Sequence, residues 1–143
     1  LVNVVAAQAR LTVDLRNTDE ALLRDGEHRL ATFLKQLADD EGVRISSRPL
    51  ARFEPVSFDP RVVDLVESTA RRLGHSTRRL PSGAGHDAQM LARICPSGMV
   101  FVPSVAGISH NPAEYTAPED VVAGADVLLQ VVLALAGDEG VLA

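Results

Sequence analysis

The residues Met99-Val100-Phe101-Val102 form an unbroken apolar run between a predicted helix and a polar loop. A short segment that is apolar at every position is typical of a strand covered on both faces, as in parallel sheets. Helical and strand-like segments alternate through this second half of the chain, which favours layered α/β structure. The composition agrees, because 46% of the 143 residues are hydrophobic and only 3% are aromatic, so a core would consist of valine, leucine and alanine.

The first half of the chain predicts an α+β unit. Apolar and polar residues alternate over 9–16, which indicates a half-buried strand with Asp14 and Arg16 on its polar face. Capping residues at 17–20 then open a helix that ends before Gly42, and Val43 begins a second strand.

An irregular segment, 48–59, contains two prolines and predicts the crossover to a second domain. Asp59-Pro60 supplies a cap and a first-turn proline for the next helix, which Gly74 stops. A short strand is predicted over 77–80 and a helix over 87–95.

The last helix is predicted from the capping-box spacing of Thr116 and Glu119 to about Ala136. The longest apolar stretch, Val121 to Ala136, is interrupted by Asp126 and Gln130, and we predict that it is too short to span a bilayer.

Charge and cysteine content exclude several classes of partner. Acidic residues outnumber basic residues 19 to 14, for a net charge of -5, so the chain has no electrostatic reason to bind nucleic acid or anionic membranes. The single cysteine, Cys95, cannot form an internal disulfide; we expect a buried structural thiol and a cytoplasmic protein. The chain begins with Leu1 and not methionine, and we expect it to be part of a longer protein.

Two loops hold polar residues that local propensity does not require. In Gly83-Ala84-Gly85-His86-Asp87 the glycines would let backbone N–H groups approach a ligand; the alternative is a tight turn capped by His86 or Asp87. His110 follows the predicted buried strand and is either a metal ligand, with Glu114 or a backbone carbonyl as its hydrogen-bonding partner, or a surface histidine beside a proline turn.

A third candidate is Arg16, together with Asn3. The guanidinium could grip a carboxylate through two hydrogen bonds, or Arg16 could be an ordinary surface arginine. His28 and His75 are predicted to be solvated and receive no role.

Three segments, in this order, resemble the hydantoinase/carbamoylase branch of the zinc peptidase family that includes the aminoacylases. They are Leu11-Thr12-Val13-Asp14-Leu15-Arg16-Asn17-Thr18-Asp19, Pro81-Ser82-Gly83-Ala84-Gly85-His86-Asp87-Ala88, and Val102-Pro103-Ser104 through Gly107-Ile108-Ser109-His110-Asn111-Pro112-Ala113-Glu114-Tyr115-Thr116. The resemblance runs from Asn3 to the last helix.

The resemblance implies a fold and a set of roles. Residues 1–54 would be the end of an α+β dimerisation (lid) domain, and residues 55–143 the closing portion of a mixed-sheet α/β catalytic domain. Arg16, helped by Asn3, would bind the substrate carboxylate. The loop residues Gly83, Ala84, Gly85 and His86 would line the substrate side of a site with two divalent metal ions (zinc, manganese or cobalt), and His110 would be a metal ligand. The partners implied are a small carboxylate substrate and a second copy of the chain.

The chain also departs from the family pattern. Family members carry a His-x-Asp pair, a Glu-Glu pair and a further histidine before this region, which supply the other ligands and the general base; none is present here. Ala6-Ala7 stands where the family usually has Pro-Gly after Asn3. We therefore expect a fragment of an amidohydrolase acting on carbamoyl amino acids or allantoate-like substrates that is inactive alone. The alternatives are an aminoacylase or dipeptidase of the same superfamily, or a truncated, non-catalytic dimerisation module.

Overall fold

The computed structural model describes residues 3–137. They form four α-helices, which we number in chain order: α1 Glu20–Glu41, α2 Pro60–Arg72, α3 Asp87–Leu91 and α4 Pro118–Gly137. A short 3-10 turn, Val105–Gly107, lies between α3 and α4. The chain separates into two compact units between Pro55 and Val56, called unit 1 and unit 2 below. The assignment of residues 1–54 and 55–143 to a lid and a catalytic domain stays a prediction.

The caps of α1 confirm the predicted start and end of this helix. The Asp19 side chain accepts a hydrogen bond from the Leu22 N–H at 3.0 Å, which satisfies one of the unpaired amides of the first turn. Gly42 closes the helix in the left-handed region, with φ at 63°, where a residue with a Cβ would be strained. Leu15 lies against Gly26 on the helix surface, so the segment before α1 packs on it.

Ion pairs fasten the segment after α1 to the same helix. Arg52 donates to Glu20 and to Glu27, each at 2.8 Å. Arg24 pairs with Glu20 within the helix and reaches Glu54 at 3.3 Å. Unit 1 is therefore held together largely by exposed charges around α1, and Leu23 is its buried apolar residue.

The core of unit 2 lies between α2 and α4. Ala70 of α2 packs with Val127 and Val131 of α4, and Leu65, Val66, Val100 and Leu135 lie around them. Asp59 caps α2 by accepting from the Arg61 N–H at 2.8 Å, and Pro60 occupies the first turn, as predicted. Thr69 of α2 is the most deeply buried of the described residues, at 2% exposed.

The predicted strands are absent from residues 3–137. Leu11 and Val13, expected to face a core, are 87% and 60% exposed, and Phe101 is 59% exposed although Met99–Val102 was predicted to be covered on both faces. A strand is stable only when a neighbouring strand satisfies its backbone groups. No described segment pairs as a strand with any of the four predicted ones, which are 9–16, 43–45, 77–80 and 99–102. The predicted mixed sheet is thus not confirmed by these residues.

The region around Cys95 also differs from the prediction. The helix predicted over 87–95 ends at Leu91, and the N–H groups of Ile94 and Cys95 both donate to the Leu91 carbonyl in a tight turn before Pro96. Cys95 follows the helix and does not lie on its packed face, so the thiol is free and exposed. The prediction of a buried structural thiol is wrong.

The helix α4 begins at a different residue from the predicted one, and its length is close to the prediction. It starts with Pro118, so Ala117, and not Thr116, precedes its first turn. It has 20 residues, and an 18-residue window within it has a mean hydropathy of 1.8, which makes the helix long and apolar enough to cross a bilayer by length and composition alone. The statement that this stretch is too short to span a membrane is therefore corrected, although core helices of soluble proteins pass the same test.

Candidate functional site

Arg16 forms two hydrogen bonds to the side-chain carboxylate of Asp14. The Arg16 Nε–H donates to Asp14 Oδ1 at 2.8 Å, and Nη2 donates to Oδ2 at 2.6 Å. The two parallel bonds form the bidentate arrangement that guanidinium and carboxylate groups prefer. The hydrogen bond from Arg16 holds the pKa of the Asp14 carboxyl below its ordinary value. The predicted role of Arg16 in binding a substrate carboxylate stays a prediction.

Asn3 lies in a turn near the start of unit 1 and is exposed. Its predicted partner Arg16 is hydrogen-bonded to Asp14. The predicted cooperation of these two residues stays a prediction.

His86 is held by its neighbours in the loop before α3. Ser82 Oγ lies 2.9 Å from His86 Nε2, and Ser82 Oγ also accepts the Ala84 N–H at 3.2 Å. The edge of Phe101 contacts the imidazole, with ring centroids 5.7 Å apart. Because Ser82 fills one ring nitrogen, Nδ1 is the atom through which His86 could contact a ligand. The His86 side chain does not cap α3.

His110 occupies a left-handed backbone conformation, with φ at 56°. Such values cost energy in residues with a Cβ and are often found where a side chain must point in one direction. The Glu114 carboxylate accepts the His110 backbone N–H at 2.8 Å. Glu114 was predicted as a hydrogen-bonding partner of a metal-ligating His110; the bond observed is to the His110 backbone N–H and not to the ring, so that role stays a prediction.

The rest of the loop is closed by its own hydrogen bonds. Asn111 Oδ1 accepts the Ala113 N–H at 2.9 Å, and the Asn111 carbonyl accepts the Glu114 N–H at 2.9 Å. Ser104 Oγ donates to the Ile108 carbonyl, and the Val105 N–H donates to the Tyr115 carbonyl. A closed loop of this kind fixes His110 without contacts from a regular element.

The described residues do not make up a metal site. No three His, Cys, Asp or Glu side chains among residues 3–137 come together in a group that could hold a metal ion. His110 offers one donor, whereas a catalytic zinc takes about three protein ligands. No hydrogen bond or ring contact in this part of the chain joins His110 to His86. Residues 3–137 therefore do not fit a complete metal centre.

Sequence reasoning missed the partners of the candidate residues. Asp14 was placed on the same face as Arg16, yet its role as the bound carboxylate was not recognised. Ser82 lies four residues before His86, and Phe101 fifteen residues after it. Only the i, i+2 spacing of Asp14 and Arg16 was a usable signal, because residues two apart share one side of an extended chain.

The model of Peptidase family M20/M25/M40 matches residues 5–134. The chain belongs to this family. It is 40% identical over 131 residues to an N-carbamoyl-L-amino-acid amidohydrolase of Rhizobium meliloti, an alignment that covers 92% of this chain and 32% of the relative. It is 37% identical over 135 residues to an allantoate amidohydrolase of Escherichia coli, covering 94% of this chain and 33% of the relative. The chain thus spans about a third of the length of these relatives.

Solved structures of the family agree with this assignment. An amidase of the hydantoinase/carbamoylase family from Burkholderia multivorans superposes with a TM-score of 0.76 at 41% sequence identity, covering 85% of this chain and 30% of that one. The resemblance to this branch is confirmed. The predicted α/β class is confirmed as a peptidase-like α/β fold, and the mixed sheet and lid domain stay predictions.

Proposed function

We propose that this M20-family chain is part of a metal-dependent amidohydrolase that cleaves a linear C–N bond of a carbamoyl amino acid or an allantoate-like substrate. The observation that carries the proposal is the bidentate grip of Arg16 on a carboxylate in a chain whose relatives are amidohydrolases of such substrates. The substrates those relatives are named for carry a carboxylate, and the bidentate pairing of Arg16 with Asp14 supports a role for Arg16 in binding such a group.

The other candidate residues take roles in the same proposal. Arg16, helped by Asn3, binds the substrate carboxylate from the lid domain. The loop 83–86 lies beside the reacting carbonyl, with the His86 ring fixed by Ser82 at Nε2. His110 contributes one ligand to a site for two divalent ions, which supply a polarising charge and an activated water when bound. The remaining ligands and the general base are not among residues 3–137, so we propose that this chain alone has no activity.

The decisive experiment places the chain in a working enzyme. Residues of this chain replace the 131 matching residues of the Rhizobium meliloti relative, and ammonia release from N-carbamoyl-L-amino acids and allantoate is measured. We expect an active chimera, and a loss of about 10- to 100-fold in kcat/KM with Arg16→Gln, as expected for charged hydrogen bonds. Arg29→Gln, another exposed arginine of unit 1 paired with an aspartate, is the matched control and should keep activity.

Two results would overturn the proposal. A folded chimera that cleaves N-acetyl amino acids or dipeptides in preference would assign the chain to the aminoacylases or dipeptidases. Ammonia release by the isolated 143-residue chain would contradict the division of the active site.

We also propose a homodimer formed through the lid domain, in the cytoplasm, with neither nucleic acid nor a membrane as partner. The exposed apolar side chains of Leu11 and Val13 support an association surface on unit 1. Sedimentation should show a dimer that dissociates on dilution, and a monomer at every concentration would contradict it.

A further inference from the structure

We propose that Asp14 lowers the affinity of the Arg16 site for carboxylate ligands by acting as an internal carboxylate, which a substrate carboxylate has to displace. The inference rests on the proposed function, because it gives Asp14 a role in binding the same substrate group. It adds a second residue to the site, one that competes with the ligand instead of contacting it.

The geometry places Asp14 where a ligand would bind. Both of its carboxylate oxygens are used, one on Nε and one on Nη2 of Arg16. These two donors form one edge of the guanidinium, and a bidentate carboxylate ligand uses such an edge in the same way. Asp14 and an incoming carboxylate therefore cannot occupy that edge together.

The spacing of two residues between Asp14 and Arg16 keeps the competing carboxylate next to the guanidinium. Residues two apart project to the same side of an extended chain, so Asp14 reaches Arg16 without any turn or tertiary contact. The hydrogen bond from Arg16 lowers the pKa of Asp14, so the competing carboxylate is charged at neutral pH. At neutral pH a charged carboxylate is therefore always close to the Arg16 guanidinium.

Because the Arg16–Asp14 ion pair is exposed, a substrate carboxylate can displace Asp14 from it. The Arg16 and Asp14 side chains are 58% and 61% exposed, and ion pairs in such positions are weak. A small carboxylate that contacts Arg16 alone gains little by replacing Asp14. A substrate that also contacts other groups displaces Asp14 more readily because those contacts add to its affinity, while Asp14 weakens the binding of every carboxylate ligand by the same factor.

The test compares the binding of N-carbamoylglycine and acetate to four forms of the full 143-residue chain, followed through the Arg16 Nε–H signal and by calorimetry at constant salt. The variants are Asp14→Asn, Arg16→Gln and a control, Asp25→Asn, which removes the same charge from another exposed aspartate–arginine pair of unit 1. We expect Asp14→Asn to bind both ligands about two- to fivefold more tightly than the wild type, the range that exposed ion pairs are worth. Asp25→Asn should bind as the wild type does, and Arg16→Gln should not bind.

Each other outcome decides against one of the two ideas. Unchanged or weaker binding by Asp14→Asn, with binding lost in Arg16→Gln, would overturn the competition and leave the carboxylate clamp intact. Equal binding by Arg16→Gln and the wild type, or no binding by any form, would overturn the clamp itself. An Asp14 carboxyl whose NMR titration is the same with and without Arg16 would show that the pair does not form, and this would also overturn the inference.

Discussion

Among single residues, His110 and Ala106 are the two described residues with a Cβ that adopt a positive φ. A φ of 56° raises the free energy of a residue with a Cβ. At His110 this cost is offset by the hydrogen bond from its backbone N–H to the Glu114 carboxylate. The motif around His110 could be recognised from the sequence, because its residue types are distinctive. The positive φ could not, because histidine carries no signal for the left-handed region comparable to that of glycine.

We expect Glu114→Ala to lower the free energy of unfolding by about 1 kcal/mol. The substitution removes a hydrogen bond to a charged acceptor, and nothing then offsets the cost of the positive φ of His110. Glu114→Gln keeps an acceptor oxygen and should recover most of the loss. Chemical denaturation measures both values. An equal loss for alanine and glutamine would show that the charge, and not the hydrogen bond, is what stabilises the loop.

Among the elements, the helices were predictable and the strands were not. Asp19, Asp59 and Gly42 are local signals that act within one turn of a helix, so the sequence places α1 and α2 correctly. A strand depends on a partner distant in the sequence, and the alternation over 9–16 says nothing about whether that partner is present. The start of α4 was displaced because Pro118, which favours the first turn, outweighs the spacing of Thr116 and Glu119.

The segment after α2 returns to this helix through Glu67, which gives it a pH dependence. Arg79, foremost, and Arg71 lower the pKa of the Glu67 carboxyl, and Thr77 also donates to it. A carboxyl with a lowered pKa in the folded state stabilises fully above its unfolded pKa, and this stabilisation disappears as the pH falls through the folded pKa.

Urea unfolding between about pH 6 and about pH 3 should therefore show a loss of stability in the wild type that is smaller in Glu67→Gln. Glu119→Gln, which alters an exposed glutamate at the start of α4, is the control and should follow the wild type. The same slope in all three proteins would exclude a contribution from Glu67.

Two helical glycines should respond differently to alanine. A Cβ at Gly124 of α4 would lie closer to Val102 Cγ1 than real Cβ atoms come, whereas at Gly26 of α1 it would meet the flexible end of Leu15 at 3.2 Å. Overpacking costs about 1–3 kcal/mol, and alanine gains about 1 kcal/mol over glycine inside a helix. We expect a net loss of about 1 kcal/mol for Gly124→Ala and no loss for Gly26→Ala, both from thermal unfolding. A gain at Gly124 would mean that Val102 moves freely.

For the molecule as a whole, the main feature is the amount of apolar surface that its described residues leave open. On α4, Val127 and Val131 are buried, whereas Val122, Leu129 and Leu133 are more than half exposed. A helix that is apolar all round is normally covered on every side. The sequence predicted an apolar helix here, but not which of its faces would be packed, because that depends on neighbouring elements.

We expect the chain to bind an apolar fluorescent dye, because exposed patches of this kind attract apolar ligands. The double substitution Leu129→Gln and Leu133→Gln should reduce the emission severalfold, and Leu22→Gln, an exposed leucine of α1, should change it little. An equal reduction by Leu22→Gln would disprove a role for the α4 face. Binding to neutral lipid vesicles that the double substitution abolishes would assign this face to a bilayer and contradict the proposed absence of a membrane partner.

The exposed thiol of Cys95 has a practical use. It is the only cysteine of the 143 residues and lies in the turn after α3, so a maleimide reagent will attach one fluorophore or spin label to unit 2 without any substitution. A second cysteine at an exposed position of α1, such as Arg29, then gives a donor–acceptor pair with one label on each unit. Energy transfer across this pair would measure the distance between the two labels with and without a carboxylate ligand.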